Sequence, residues 1–141
     1  MKKLKIKLVA FKGAGEEIFE KGLKMLDECI GEERFQMEEI HPDVLFFVTG
    51  GSENEAAQTT LKLKHVELWA HEEDNSYASA TETKAFLNKH DITSFLRNIY
   101  DHNFKENVEL LQNVIQASKT LNNQQLGLLG EVSDWLIASN I

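Results

Sequence analysis

Three short stretches of this sequence have the residue types and spacing to approach a ligand closely: Lys12-Gly13-Ala14-Gly15, Gly50-Gly51-Ser52-Glu53 and Asn75-Ser76. Glycines let backbone N–H groups come near a bound molecule. Lys12, Ser52, Glu53, Asn75 and Ser76 add donors and acceptors suited to a polar, hydroxyl-bearing compound. The candidate substrate-binding set is therefore Lys12, Gly13, Gly50, Gly51, Ser52, Glu53, Asn75 and Ser76. The same residues also have a purely structural reading, since Ser52 and Asn75-Ser76 each precede a helical pattern and would serve as N-caps.

Other chemistries fit less well. A dinucleotide fingerprint G-x-G-x-x-G starting at Gly13 requires glycine at position 18, which is Ile18, and Glu16 and Glu17 would repel a pyrophosphate at the helix N-terminus. No G-K-[ST] sequence occurs, so a P-loop is excluded. A phosphoacceptor receiver domain needs carboxylates at the ends of strands 1 and 3, where this chain has Phe11-Lys12 and Thr49-Gly50. The histidines, at 41, 65, 71, 90 and 102, form no pair at the spacing of a helical metal site. His71 with Glu72, Glu73 and Asp74 is the one cluster of potential ligands, and a solvated acidic loop is the simpler account of it. Cys29 has no neighbouring base in the sequence and reads as a structural thiol. The sequence thus nominates no catalytic residue, no metal ligand and no cofactor in this chain.

The elements that would position these loops follow from periodicity. Leu4–Phe11 reads as a strand in which Leu4, Ile6 and Leu8 alternate with lysines before an unbroken Val9-Ala10-Phe11. Glu16–Ile30 has helical spacing, with Gly31 as its C-cap. A weaker strand is expected at Arg34–Ile40, and Asp43–Thr49 reads as a fully buried strand because five apolar residues run without alternation. Then come a helix at Glu53–Leu63, a strand at His65–Ala70, a helix at Ser76–Lys89, a segment at Ile92–Tyr100 that reads as a short strand or, alternatively, a helical turn, a helix at Lys105–Leu121 and a short sixth strand at Gln125–Leu129. Repeated βαβ units imply a three-layer α/β/α, flavodoxin-like (Rossmann-like) doubly wound parallel sheet of about five strands, in the order 2-1-3-4-5. In that order a ligand crevice lies beyond the carboxyl ends of strands 1 and 3, where both glycine turns fall. Residues 1–124 make one domain, and 125–141 form a strand and turn leading onward.

Composition narrows the class. At 141 residues and 42% hydrophobic the chain can bury the core of one domain. A net charge of −8 opposes a nucleic-acid or anionic membrane partner. No run of 18 apolar residues is present, no signal-peptide pattern starts the chain, and a lone cysteine fits a reducing, cytoplasmic setting.

Three segments taken in order resemble one family. Val44-Leu45-Phe46-Phe47-Val48-Thr49-Gly50-Gly51-Ser52-Glu53 is similar to the VTGGTE turn of L-fucose isomerase-like proteins. Asn75-Ser76-Tyr77-Ala78-Ser79-Ala80-Thr81-Glu82 resembles their NSLxAxxE segment, and Leu126–Ser139 resembles the strand and turn by which they leave their first domain. The resemblance is to the N-terminal domain of the L-fucose/L-arabinose isomerase family. It implies an oligomeric, Mn²⁺-dependent aldose–ketose isomerase whose metal ligands lie in later domains. The first domain would serve fold and assembly and help close the substrate pocket, with downstream domains or neighbouring subunits of a homo-oligomer as partners and a sugar as ligand. Lys12 is the one long polar residue after strand 1 that would reach substrate. The alternatives are a free-standing flavodoxin-like module binding a sugar or small polar compound, and a purely structural domain. Because the resemblance has the segment after Leu121 lead into another domain, that segment is expected to be the least securely packed, with Trp135, Leu136 and Ile137 available to fold back on the sheet or meet a second copy.

Overall fold

A computed structural model describes residues 2–125 and 127 of the chain. Its five strands are β1 (Leu4–Val9), β2 (Phe35–Met37), β3 (Val44–Phe47), β4 (His65–Ala70) and β5 (Thr93–Asn98). Its four helices are α1 (Glu16–Ile30), α2 (Glu53–Thr60), α3 (Ser76–Lys89) and α4 (Phe104–Asn122), with a 3-10 turn at Glu32–Arg34. All strands are parallel and lie in the order β2-β1-β3-β4-β5. This is the expected three-layer, doubly wound arrangement. The expected sixth strand, Gln125–Leu129, and the motif at Leu126–Ser139 lie outside the described residues, apart from Gln125 and Gly127.

Each face of the sheet has its own apolar core. On one, α1 and α4 cover Leu4, Ile6, Leu8, Val44, Phe46 and Trp69 with Leu26, Ile30, Phe104 and Val108. On the other, α2 and α3 cover Val9, Leu45, Phe47, Val66 and Leu68 with Ala56, Ala80 and Leu87. The unbroken apolar run of β3 is thereby explained, because its neighbouring side chains enter opposite cores and all are fully buried.

The lysines of β1 mark a missing layer. No helix joins β2 to β3, so Lys5 and Lys7, which alternate with the core-facing Leu4, Ile6 and Leu8, meet Glu38, Glu39 and Glu55 instead of an apolar surface. This connection also makes β2 shorter than the expected Arg34–Ile40. The Glu38 carboxylate accepts the N–H groups of Ile40 and His41 and turns the chain, and those two bonds hold its pKa below the usual range. Four other elements also end early, among them β5, which stops at Asn98 rather than Tyr100. The Phe11 N–H leaves the β1 ladder for the Thr49 hydroxyl, and Val48 and Thr49 continue from β3 into the site. Helix α2 stops at Thr60 rather than Leu63, its last hydroxyls donating back to the carbonyls of Glu55 and Ala56. Gly31 closes α1 by donating its N–H to the Asp27 carbonyl, as expected.

Helix α1 lies close to the sheet at Gly22, where an added Cβ would sit 2.6 Å from Val48 Cγ2 and 3.3 Å from Leu8 Cδ1. Val48 is itself fully buried and has little room to yield. Gly22→Val is expected to destabilise the domain by about 2–3 kcal/mol in urea unfolding, overpacking outweighing any gain in helix propensity. Combining it with Val48→Ala should recover part of that loss as a coupling in a double-mutant cycle.

Candidate functional site

The carboxyl ends of β1, β3 and β4 bring the three candidate stretches to one edge of the sheet. The first joint is between β1 and β3: the Val48 N–H donates to the Val9 carbonyl at 2.8 Å, and the Phe11 N–H donates to Thr49 Oγ1 at 2.9 Å. The second is between the β3 turn and the loop after β4, where the Gly50 N–H donates to the Asp74 carbonyl at 2.7 Å. Both glycines of that turn are needed. A Cβ on Gly50 would lie 2.7 Å from Asn75 Cβ and 3.0 Å from the Asn75 carbonyl oxygen. Gly51 has φ +69°, and a Cβ there would also meet Phe11 Cβ at 3.1 Å.

Beneath these turns the serines fasten the structure from inside. Ser76 Oγ donates to the Phe47 carbonyl and accepts the His71 N–H at 3.0 Å, satisfying two backbone groups at ends of β3 and β4 that no ladder partner reaches. Ser52 Oγ donates to the Thr49 carbonyl at 3.0 Å and lies 2.9 Å from Ser79 Oγ, joining the start of α2 to α3. Ser52 and Ser76 are both buried. Ser52 stands at the N-cap position of α2 but makes no side-chain cap bond, because its hydroxyl turns inward. Asn75 caps α3 by position alone, in the left-handed conformation at φ 57° and likewise without a side-chain cap bond.

His71 corrects the solvated-loop reading. It is 1% exposed, lies against Phe46, and is bonded through both ring nitrogens. Nδ1 accepts the Glu73 N–H at 3.3 Å, and Nε2 is 2.8 Å from the Val48 carbonyl. A carbonyl can only accept, so the pair of contacts requires the neutral ring with its proton on Nε2. Glu72, Glu73 and Asp74 are exposed as expected, and Asp74 reaches Lys21 on α1 at 2.8 Å. The Lys21 hydrogen bond pulls the Asp74 pKa down and raises that of Lys21. Cys29 is half-buried, and burial pushes its thiol pKa up.

Lys12, Gly13, Gly51, Glu53 and Asn75 remain as a solvent-facing or partly exposed rim, while Gly50 is partly covered. Among the described residues the side chains of Lys12, Glu53 and Asn75 enter no hydrogen bond or ion pair. This rim can hold a ligand through an ammonium, a carboxylate, an amide and free backbone N–H groups. The nearby imidazole of His71 has both ring nitrogens engaged within the fold. No group of three His, Cys, Asp or Glu side chains converges among the described residues.

Sequence reading missed the parts played by Thr49, His71 and Ser79. A signal for Ser79 exists, since Ser76, Ser79, Ala80, Thr83 and Leu87 are the buried residues of α3 and recur at helical spacing, the first four as a stripe of small side chains. For His71 the signal is weaker: it directly follows the buried Leu68-Trp69-Ala70.

Ser76→Ala is expected to cost about 2–4 kcal/mol in chemical unfolding, because it leaves one buried carbonyl and one buried N–H unpaired. Ser52→Ala removes the bond donated to Thr49 and the one accepted from the buried Ser79 hydroxyl, and should also cost about 2–3 kcal/mol. A loss below about 1 kcal/mol for Ser76→Ala would show that Ser76 does not carry the joint between β3 and β4.

No family model matches this chain, and no curated protein or solved structure shows significant similarity to it.

Proposed function

We propose that this chain is the non-catalytic first domain of an L-fucose isomerase-like protein. It contributes fold, assembly and one wall of a sugar pocket, with its rim of Lys12, Gly13, Gly51, Glu53 and Asn75 turned toward substrate. The observation that carries this reading is the interlock of two of the three family-like segments. Val44–Glu53 and Asn75–Glu82 are distant in sequence, yet the Ser52–Ser79 contact, the Ser76–Phe47 bond and the Gly50–Asp74 bond join them at one sheet edge. Their serines are used inside the protein, and what reaches solvent is a set of scattered donors and acceptors. Such a set suits hydroxyl groups better than it suits chemistry, which would need a base and an electrophile converging on one carbon–oxygen unit. The catalytic Mn²⁺ and its ligands belong, on this proposal, to downstream domains or to neighbouring subunits of a homo-oligomer. A cytoplasmic setting goes with it, supported by the lone cysteine. No helix among the described residues is long and apolar enough to cross a membrane.

The test is a titration of the purified chain with Mn²⁺ and with L-fucose and L-arabinose. We expect no stoichiometric tight binding of Mn²⁺ by calorimetry and no aldose-to-ketose turnover. In amide NMR spectra the sugars should shift Gly13, Gly51, Glu53 and Asn75 with dissociation constants of about 1 mM or weaker, as scattered contacts without enclosure give. Turnover or tight metal binding by this chain overturns the non-catalytic assignment. Sugar-induced shifts elsewhere, or none, overturn the assignment of the rim.

A further inference from the structure

The sheet face shared by α1 and α4 is not fully covered. Helix α4 packs Phe104, Val108, Leu111 and Ile115 toward the core over β1, β3 and β4, and Gln112 Nε2 donates to the carbonyl of Lys2 at 3.2 Å, just before β1. That placement leaves a groove of about 550 Å³ between the outer side of α4 and the β4–β5 edge. Its walls are apolar, formed by Leu110, Val114 and Ile115 on the helix and Phe95 on β5. Leu110, Val114 and Phe95 are 60%, 56% and 58% exposed, a degree unusual for three large apolar side chains lining one concavity. Two carboxylates line the floor: Glu67 is bonded by Arg97 at 2.9 and 3.0 Å and by Trp69 Nε1 at 2.8 Å, and the partly buried Asp43 accepts the Lys5 N–H at 2.9 Å. Both already have partners within the fold, so an apolar occupant breaks none of these bonds.

We propose that this groove is the docking site of the chain's own residues 128–136. Three observations select this occupant over a second copy. Helix α4 runs back from the carboxyl ends of the strands, so the chain leaves it beside Ser118, His65 and Thr93, which line the same groove. The stretch from Asn122 to Leu128 reaches about 20 Å when extended, and the α4 wall from Leu110 to Ser118 is only about 12 Å long. Residues Leu128, Leu129, Val132, Trp135 and Leu136 recur at one, three and four positions, so a single helical side carries all five. At helical spacing Asp134 falls opposite these five. Tethering gives such a segment a local concentration on the order of millimolar, which a separate molecule reaches only in concentrated solution. The inference stands on the groove and the sequence and does not depend on the sugar-isomerase reading.

Hydrogen exchange on the full chain, with mass measured by light scattering, tests it. In the monomer, amides of residues 128–136 should exchange at least about tenfold slower than an unstructured chain. Leu110→Glu with Val114→Glu, and separately Phe95→Ser from the facing wall, should each abolish that protection while β3 amides stay as slow as in the parent chain. All three positions are exposed, so the fold should survive. Unprotected 128–136 in the monomer overturns the proposal. So does protection that appears only as the chain dimerises, which assigns the groove to a second copy. Protection that persists in both variants also overturns it, because the segment then packs elsewhere.

Discussion

The fold depends on β3 being buried on both faces. Val44, Leu45, Phe46, Phe47 and Val48 are all inaccessible to solvent, and removing each such side chain from water contributes about 1.5–3 kcal/mol. A strand of this kind is stable only at the centre of a sheet with a helical layer on either side. Parallel pairing with both β1 and β4 provides that position. The remaining elements are arranged around this requirement: α1 and α4 supply one layer, α2 and α3 the other, and the strands become more polar toward β2 and β5, where cover runs out.

A central parallel strand creates a second requirement at its carboxyl end. There the backbone must leave the ladder while still surrounded by protein, and its N–H and C=O groups need partners. This chain supplies them with short polar side chains and one imidazole. Thr49 takes the Phe11 N–H, Ser76 takes the Phe47 carbonyl and the His71 N–H, and His71 takes the Val48 carbonyl and the Glu73 N–H. Polar residues that look available for ligands in the sequence are thus largely committed to holding three loops together. The exposed rim is what the loops present once that work is done, and its position is as well defined as the network beneath it.

The two helical layers are unequal in what they leave uncovered. On the α2–α3 face, the absence of a helix between β2 and β3 is met by charge, with Lys5 and Lys7 paired to nearby glutamates. On the α1–α4 face, the gap beside β5 holds the Glu67–Arg97 pair on its floor, but its rim is apolar, and Phe95, Leu110 and Val114 stay exposed around it. Alternating lysines tolerate water, whereas an apolar concavity gains free energy when covered. That difference separates a solvated edge from a docking surface.

Much of the architecture was determined by the sequence alone, because hydrophobic periodicity is a local property. The run Val44-Leu45-Phe46-Phe47-Val48 called for a central strand, the Lys5/Lys7 alternation for a half-exposed one, and the α1 and α3 boundaries followed from spacing and flanking residues. Strand ends were less legible, since where β1 stops depends on Thr49, 38 residues beyond Phe11. Site chemistry was the least legible. Whether Ser52 caps its helix, faces a ligand or turns inward depends on Ser79 across α3, and whether His71 is solvated depends on the Val48 carbonyl one strand away. A hydroxyl or imidazole takes whichever partner the fold brings within about 3 Å. That partner is chosen by the crossing of distant elements, so only the tertiary structure could decide which of these polar groups face water and which are already spent.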